Sequence, residues 1–497
     1  ISVVDDVSGT VNSAVSYSIT PSTVPLNLSA SPAPAINPTP LAGSVSIGSG
    51  ATVAGGNSLA IVSLASTHVD AGANLSGANM LLVGDSMKVV NNMTAGNGGF
   101  VIGATTLADI DGAQSAVLKS LGTINFLGTV PIAMTGANSS LTLDAAALVS
   151  DGGSVTVSVP QIVLSNSFGA TATFASGAGS LAITAGELDF GAGAKALSGF
   201  GSLSVTATRG IVGQGTGSMD FGSLPLTLWT PIVIAGTGST QTISIESGDI
   251  IIEPLAGGTP LSSNALGGAI TFETQSSGSI TIGVPIQALA GNISLETGTK
   301  GGTGGSITVT GTGALIAHGI ARTFYDVVAY ADAGAITLTA NQGTVTIQSG
   351  AIVDLSGGTD GNGNPLGGNG GSLSIVTTGS TAPVQIAAGT LKGAVAAGYS
   401  GSGFSLNTAG PVALDGLAQI LTNAGITGSI AVQSGQGDLT LNGAITASQV
   451  SLVANAGLVT VIGAIAAQGT PATVGEIALY GASGVDIEGM LLATGSP

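Results

Sequence analysis

Two acidic residues at positions i and i+2 of a strand share one face, one way to cluster the carboxylates that acid–base cleavage of a sugar polymer needs. The chain holds three such pairs, Asp109/Asp111, Glu187/Asp189 and Asp486/Glu488. Only Glu187/Asp189 has a basic neighbour in sequence, Lys195. The pairs are far apart along the chain, and each also reads as solvated charge at a strand edge. His68 and His318 have no second nitrogen or sulfur ligand at metal spacing. No Gly-x-Ser-x-Gly segment leads into a helix, as a serine nucleophile elbow would. Asp360, Asn362 and Asn364 alternate with Gly in GGTDGNGNPLGGNGG, an oxygen-rich composition that calcium favours. The terminal Glu of an EF-hand is missing, and no calcium-binding nonapeptide is repeated in tandem, so a plain loop competes with a calcium loop there. These residues suggest no catalytic centre, and calcium is the only cofactor they bring into consideration.

Composition narrows the field further. Of 497 residues 44% are hydrophobic, 3% aromatic and 6% charged, which is too apolar and too sparsely charged for a disordered chain. With so few aromatics the core must be aliphatic and closely spaced, and a narrow interior of that kind is expected to exclude large rings. No apolar run reaches the ~18 residues of a membrane helix. Sixteen aromatics, one Trp, five Tyr and ten Phe, are too few for the girdles of an outer-membrane barrel. A net charge of −18 opposes binding to nucleic acid. The absence of Cys removes disulfide scaffolds and thiol chemistry, and is compatible with an exported chain. Residue 1 is Ile and no signal segment precedes the first strand-like stretch, as expected of a processed chain or a piece of a longer one.

One short unit recurs: Gly, a small polar residue, then apolar, hydroxyl or Ala, apolar. It stands at Gly43 (GSVSI), Gly153 (GSVTV), Gly179 (GSLAI), Gly201 (GSLSV), Gly268 (GAITF), Gly278 (GSITI), Gly291 (GNISL), Gly305 (GSITV), Gly334 (GAITL), Gly343 (GTVTI), Gly371 (GSLSI), Gly428 (GSIAV) and Gly437 (GDLTL). Alternation sends Val, Ile and Leu to one face and Ser and Thr to the other. The shorter intervals fit one strand plus a turn. The longer ones fit a coil of roughly 20 to 30 residues that can bury its apolar face only against the next coil. The fold expected is all-β, a parallel β-helix of roughly 20 coils spanning residues 43–497. Gly is too frequent, and 3.6-residue periodicity too brief, for a helical fold. Ser, Thr and Ala mix along the hydroxyl face without a readable register, which argues against ice binding.

Residues 1–42 depart from the pattern. A strand over Val11–Thr20, carrying Val11, Val15, Tyr17 and Ile19, is followed by Pro21, Pro25, Pro32, Pro34, Pro38 and Pro40. Proline removes ladder donors, so this reads as an extended arm or linker. The Val11–Thr20 strand is a candidate for donation to a neighbouring copy, with a cap or a linker as the competing roles. A second departure, His318 to Tyr330, gathers Arg322, Phe324, Tyr325 and Tyr330.

The segments GAIVDLS at Gly350, GGNGGSLSI after the Gly-rich loop, and GAITASQVSLVANAGLVTVIGAIAAQG from Gly443, leading into GEIALYG, together resemble the haemagglutinin-type repeats of filamentous haemagglutinin-like exoproteins. That resemblance covers residues 43–497 and rests on degenerate motifs. It implies a right-handed parallel β-helix, two-partner secretion, a place outside or on the surface of a Gram-negative bacterium, and work in filaments, adhesion or biofilm cohesion. The implied partners are further copies of the chain, or a surface glycan or host-cell ligand. The family's Asn-Pro-Asn-Leu secretion motif is not matched, the nearest segment being Asn37-Pro38-Thr39-Pro40.

Overall fold

The recurrent pentapeptides become short strands, each paired in parallel with an equivalent strand further along the chain. In the computed structural model the described residues are 2–4, 16–19, 44–64, 66–91, 99–172, 174–359, 365–379, 381–469 and 474–495. They fall into two compact units, one of residues 1–212, 216–224 and 255–259, the other of 213–215, 225–254 and 260–497. The class is all-β with long parallel ladders, as the alternation predicts.

In the first unit one ladder runs from Ser2–Val4 through Ser58–Val62, Asn79–Gly84, Ser115–Ser120 and Ser140–Asp144 into Ser154–Ser165 and Ala175–Phe190. A second begins Ser16–Ile19, Ser44–Ile47, Ser66–Val69. Two stretches expected to belong to an arm, Ser2–Val4 and Ser16–Ile19, therefore pair with strands of their own chain.

The second unit has the more regular stacking. Its longest ladder passes from Thr240–Ile245 through Ala269–Thr274, Asn292–Thr297, Ala335–Ala340, Ser372–Thr377, Gly403–Thr408, Ser429–Ser434 and Gln449–Ala454 to Glu476–Gly481. Two shorter ladders accompany it, one through Ile280–Ile282, Ile307–Val309, Val345–Ile347 and Gln385–Ile386, the other through Pro285–Gln287, Ala314–Ile316, Ile352–Asp354 and Leu391–Lys392. Register keeps like above like. Ile293, Ile336 and Leu373 stack inward, while Thr271, Ser294, Thr337 and Ser374 stack outward, so the hydroxyls share a register that the sequence did not reveal.

The repeat glycines occupy corners where successive turns of chain touch. A Cβ on Gly291 would lie 2.1 Å from the carbonyl oxygen of Gly268, one on Gly334 1.6 Å from that of Gly291, and one on Gly371 2.1 Å from that of Gly334. A second column repeats this, with Gly278 against Gly248, Gly305 against Gly278 and Gly343 against Gly305. No side chain of any kind fits at such distances.

One expectation needs correction. The interior does take aromatic rings: Phe100, Phe126, Phe190, Phe200, Phe221, Phe272 and Phe404 are fully buried. A flat ring fits within the ~4.8 Å layer of one strand level, and Phe404 lies level with Leu373 on one side and Ile430 on the other. Two short helices are set among the strands of the described residues. The first, α1 (Ala104–Asp111), buries Thr106, Leu107 and Ile110. The second, α2 (Leu414–Asn423), buries Leu414, Leu417, Ala418 and Leu421, an i, i+3, i+4, i+7 stripe. It occupies the level at which both shorter ladders of the second unit stop.

Asp415 ties α2 to the next level. Its carboxylate accepts from the Asn442 and Gly443 backbone N–H groups at 2.7 and 3.1 Å and from the Asn442 side chain. These bonds, led by the Asn442 amide, hold the Asp415 carboxyl below its ordinary value. Asp415→Ala should cost about 1 to 2 kcal/mol, read as a lower urea midpoint. The loss should vanish as acid protonates Asp415 in the parent protein, because a lowered carboxyl pKa stabilises only above it.

Candidate functional site

The acid pairs divide once placed in space. Asp109 and Asp111 lie at the end of α1, where positions two apart point in different directions, so they form no same-face pair. Burial raises the Asp109 carboxyl above its ordinary value. Asp486 and Glu488 are exposed on or beside the Gly484–Ile487 strand. Glu187 and Asp189 do share a face, and theirs is the most perturbed acidic site among the described residues.

The Ala175–Phe190 strand sends Leu188 and Phe190 inward and Glu187 and Asp189 outward, yet Asp189 is only 1% exposed. Gln161, level with Glu187 on the neighbouring strand, donates its side-chain N–H to Asp189 Oδ2 at 3.0 Å. Arg209 Nη1 stands 3.9 Å from Glu187 Oε2. Burial first, then the charge of Glu187 and a hydrogen bond shared with it, push the Asp189 carboxyl up to about 7. The pair holds a proton near neutrality, which relieves repulsion between two carboxylates that have one cation at hand.

Lys195, the sequence neighbour, does not serve that pair. Its buried ammonium donates to the Gly191 and Gly193 carbonyls at 2.7 and 2.6 Å. Burial lowers it to about 8 against the opposing pull of Asp144. Asp144 accepts from the Ser167 N–H at 2.7 Å and the Ser167 hydroxyl at 2.6 Å, and pairs with Lys119 at 3.2 Å. Lys119 also lies over the Phe168 ring, 4.2 Å from its centre. This set fastens the loop after Ser154–Ser165 onto the ladder. Arg209, Gln161 and Ser167 were not singled out from sequence, because only stacking brings them beside acids 20 or more positions away.

The calcium candidates Asp360, Asn362 and Asn364 lie outside the described residues, as do Val11 and Val15. Tyr17 and Ile19 lie on Ser16–Ile19, which pairs with Ser44–Ile47 of the same chain. His318 Nδ1 is 2.7 Å from the Gly319 carbonyl, and His68 is exposed on its strand. The expected insertion is an antiparallel hairpin, Ile320–Phe324 with Val327–Ala331, that turns at Tyr325 with φ 57° and leaves Tyr325, Val327 and Val328 exposed.

A different feature has the makings of an interface. The strands Glu476–Gly481, Gly484–Ile487 and Met490–Thr494 each continue a ladder, and among the described residues each has a ladder partner on one edge only. Their side chains level with buried Val459, Val461 and Ile465, namely Val485, Ile487 and Leu491, are exposed, as are Met490 and Leu492. Unpaired backbone groups beside uncovered aliphatic side chains are a template for another layer of strands. No family model matches the chain, and neither do the curated proteins or the solved structures.

Proposed function

We propose that the chain is a secreted structural β-solenoid, its two units built of right-handed parallel β-helix with roughly 20 coils in all, and that copies stack head to tail in an extracellular filament or sheath of a Gram-negative bacterium. The observation that carries this reading is that each ladder level buries its apolar face only against the next, so the level at Glu476–Thr494, with Val485, Ile487 and Leu491 exposed, is completed by a further layer of strands, whether from more of the same polypeptide or from another copy. The occupant proposed for the purified chain is a second copy. Ser2–Val4 and Ser16–Ile19 are parallel strands that, among the described residues, each have one partner, Ser58–Val62 and Ser44–Ile47 respectively. A contact between these unlike edges of two copies is heterologous, the kind that builds rings or open filaments, and the filament is the assembly proposed. The hydroxyl-rich outer rows and acidic balance keep the sides of such an assembly wetted. The resemblance to haemagglutinin-type repeats supports the extracellular setting and the handedness.

Electron microscopy and sedimentation of the purified chain test the proposal. Fibres are expected, and Ile487→Lys with Leu491→Lys should leave monomers of unchanged circular dichroism. Monomers from the parent chain, or fibres from the double variant, would overturn it. A second reading, a ligand-binding adhesin, draws on the exposed Tyr325 hairpin. Deleting 321–330 should leave fibres intact and would lower adhesion only under that second reading.

A further inference from the structure

Where α2 replaces two strands, the second unit is left with a cleft of about 590 Å³ between the helix and the Gln385–Ile386 strand. Its floor is Ile347, Leu406 and Leu417, all buried, and its walls include Val384 and Ile420. No lining side chain carries a charge, and the polar atoms come from side chains such as Gln348 and Gln385 at the exposed rim.

Gly416 sets this cleft apart from a packing defect. It lies in the first turn of α2, faces the cleft, and a Cβ added there would meet nothing within 4 Å. The corner glycines are forced by a carbonyl closer than 3 Å, whereas nothing in the packing requires this one. A glycine inside a helix costs about 0.5 to 1 kcal/mol relative to Ala. Its one evident effect here is to leave the helix side of the cleft open.

We propose that the cleft is a binding site for a small neutral apolar molecule, of the class of a medium-chain alcohol. The volume lies within the roughly 300 to 1,000 Å³ typical of small-molecule sites. The uncharged lining leaves an ionised head without a partner, and the acidity of the whole chain, net −18, further disfavours anions. A polypeptide strand is a poor occupant because the strand bordering the cleft is two residues long.

Titration of the full chain with N-phenyl-1-naphthylamine, followed by fluorescence, tests this. One saturable site is expected, from which decanol displaces the probe at least about tenfold better than decanoate does. Gly416→Phe should weaken binding about tenfold or more by filling the cleft. If that variant does not fold, Val384→Glu on the opposite wall is the decisive substitution. Leu266→Gln, at an exposed side chain that does not line the cleft, should leave probe binding unchanged. Absence of a saturable site, unchanged binding in a folded Gly416→Phe or Val384→Glu protein, or loss of binding in Leu266→Gln would overturn the site. Equal competition by decanoate would overturn the ligand class.

Discussion

Gly334→Ala should destabilise the second unit by about 3 to 5 kcal/mol, one of the largest losses open to a single methyl group. Its Cβ would lie 1.6 Å from the Gly291 carbonyl oxygen, well inside van der Waals contact. The clash is with backbone, so no rotamer relieves it, and the two strands that follow, Asn292–Thr297 and Ala335–Ala340, are locked in register by a shared ladder. Relief would require opening that ladder at its start. The same substitution at Gly416, where a Cβ meets nothing, should instead raise stability by about 0.5 to 1 kcal/mol. Urea midpoints of the two variants and the parent measure both effects. Similar midpoints for the two would show that glycine content, and not contact between corners, sets the stability.

The second large effect is on pH. The Asp189 carboxyl is raised from 3.8 to about 7, so between those values the folded chain holds a proton that the unfolded chain has lost, and stability falls as pH rises. Lys195 is lowered from 10.5 to about 8, so between those values the unfolded chain holds the extra proton and stability rises with pH. The two limbs leave a minimum between about 7 and about 8. The acid limb amounts to roughly 1.4 kcal/mol per unit of pH at its steepest. Since other carboxylates also titrate, the variants isolate the effect: Asp189→Asn should lose the acid limb and Lys195→Met the alkaline one, in urea melts taken across pH. Parallel curves for parent and variants would remove both assignments.

The pentapeptide told strand, face and turn together, because alternation and an initial glycine are local properties. It did not tell that Gly268, Gly291, Gly334 and Gly371 form one column and Gly278, Gly305 and Gly343 another, since the reason for each glycine is the carbonyl of the level before it. α2 was legible in part. Leu414, Leu417, Ala418 and Leu421 carry the helical spacing, but ten residues in a chain of repeating strands are outweighed by their surroundings. The seven buried Phe side chains were not foreseen because aromatic scarcity says how many rings there are and not where they lie. Of the chemistry, the Glu187/Asp189 pair was visible as a same-face spacing, whereas its partners Gln161 and Arg209 enter from other strands. Lys195, near in sequence, is turned away by two backbone carbonyls that no local pattern announces.

Seen mechanically, α2 is a yield point within the second unit. Ladder hydrogen bonds run along the stacking direction, so a pull in that direction loads them level by level. Most levels share the load among three ladders. At the α2 level one ladder carries it, Ser372–Thr377 to Gly403–Thr408 to Ser429–Ser434, helped by the Gly393 N–H to Ala424 carbonyl bond. Tension would part that level first, opening the pairing of Gly403–Thr408 with Ser429–Ser434 and then drawing the ten-residue helix between them out into extended chain, a gain of about 20 Å before any three-ladder level opens. A fibre made of such units would lengthen under strain and recoil when the helix re-forms.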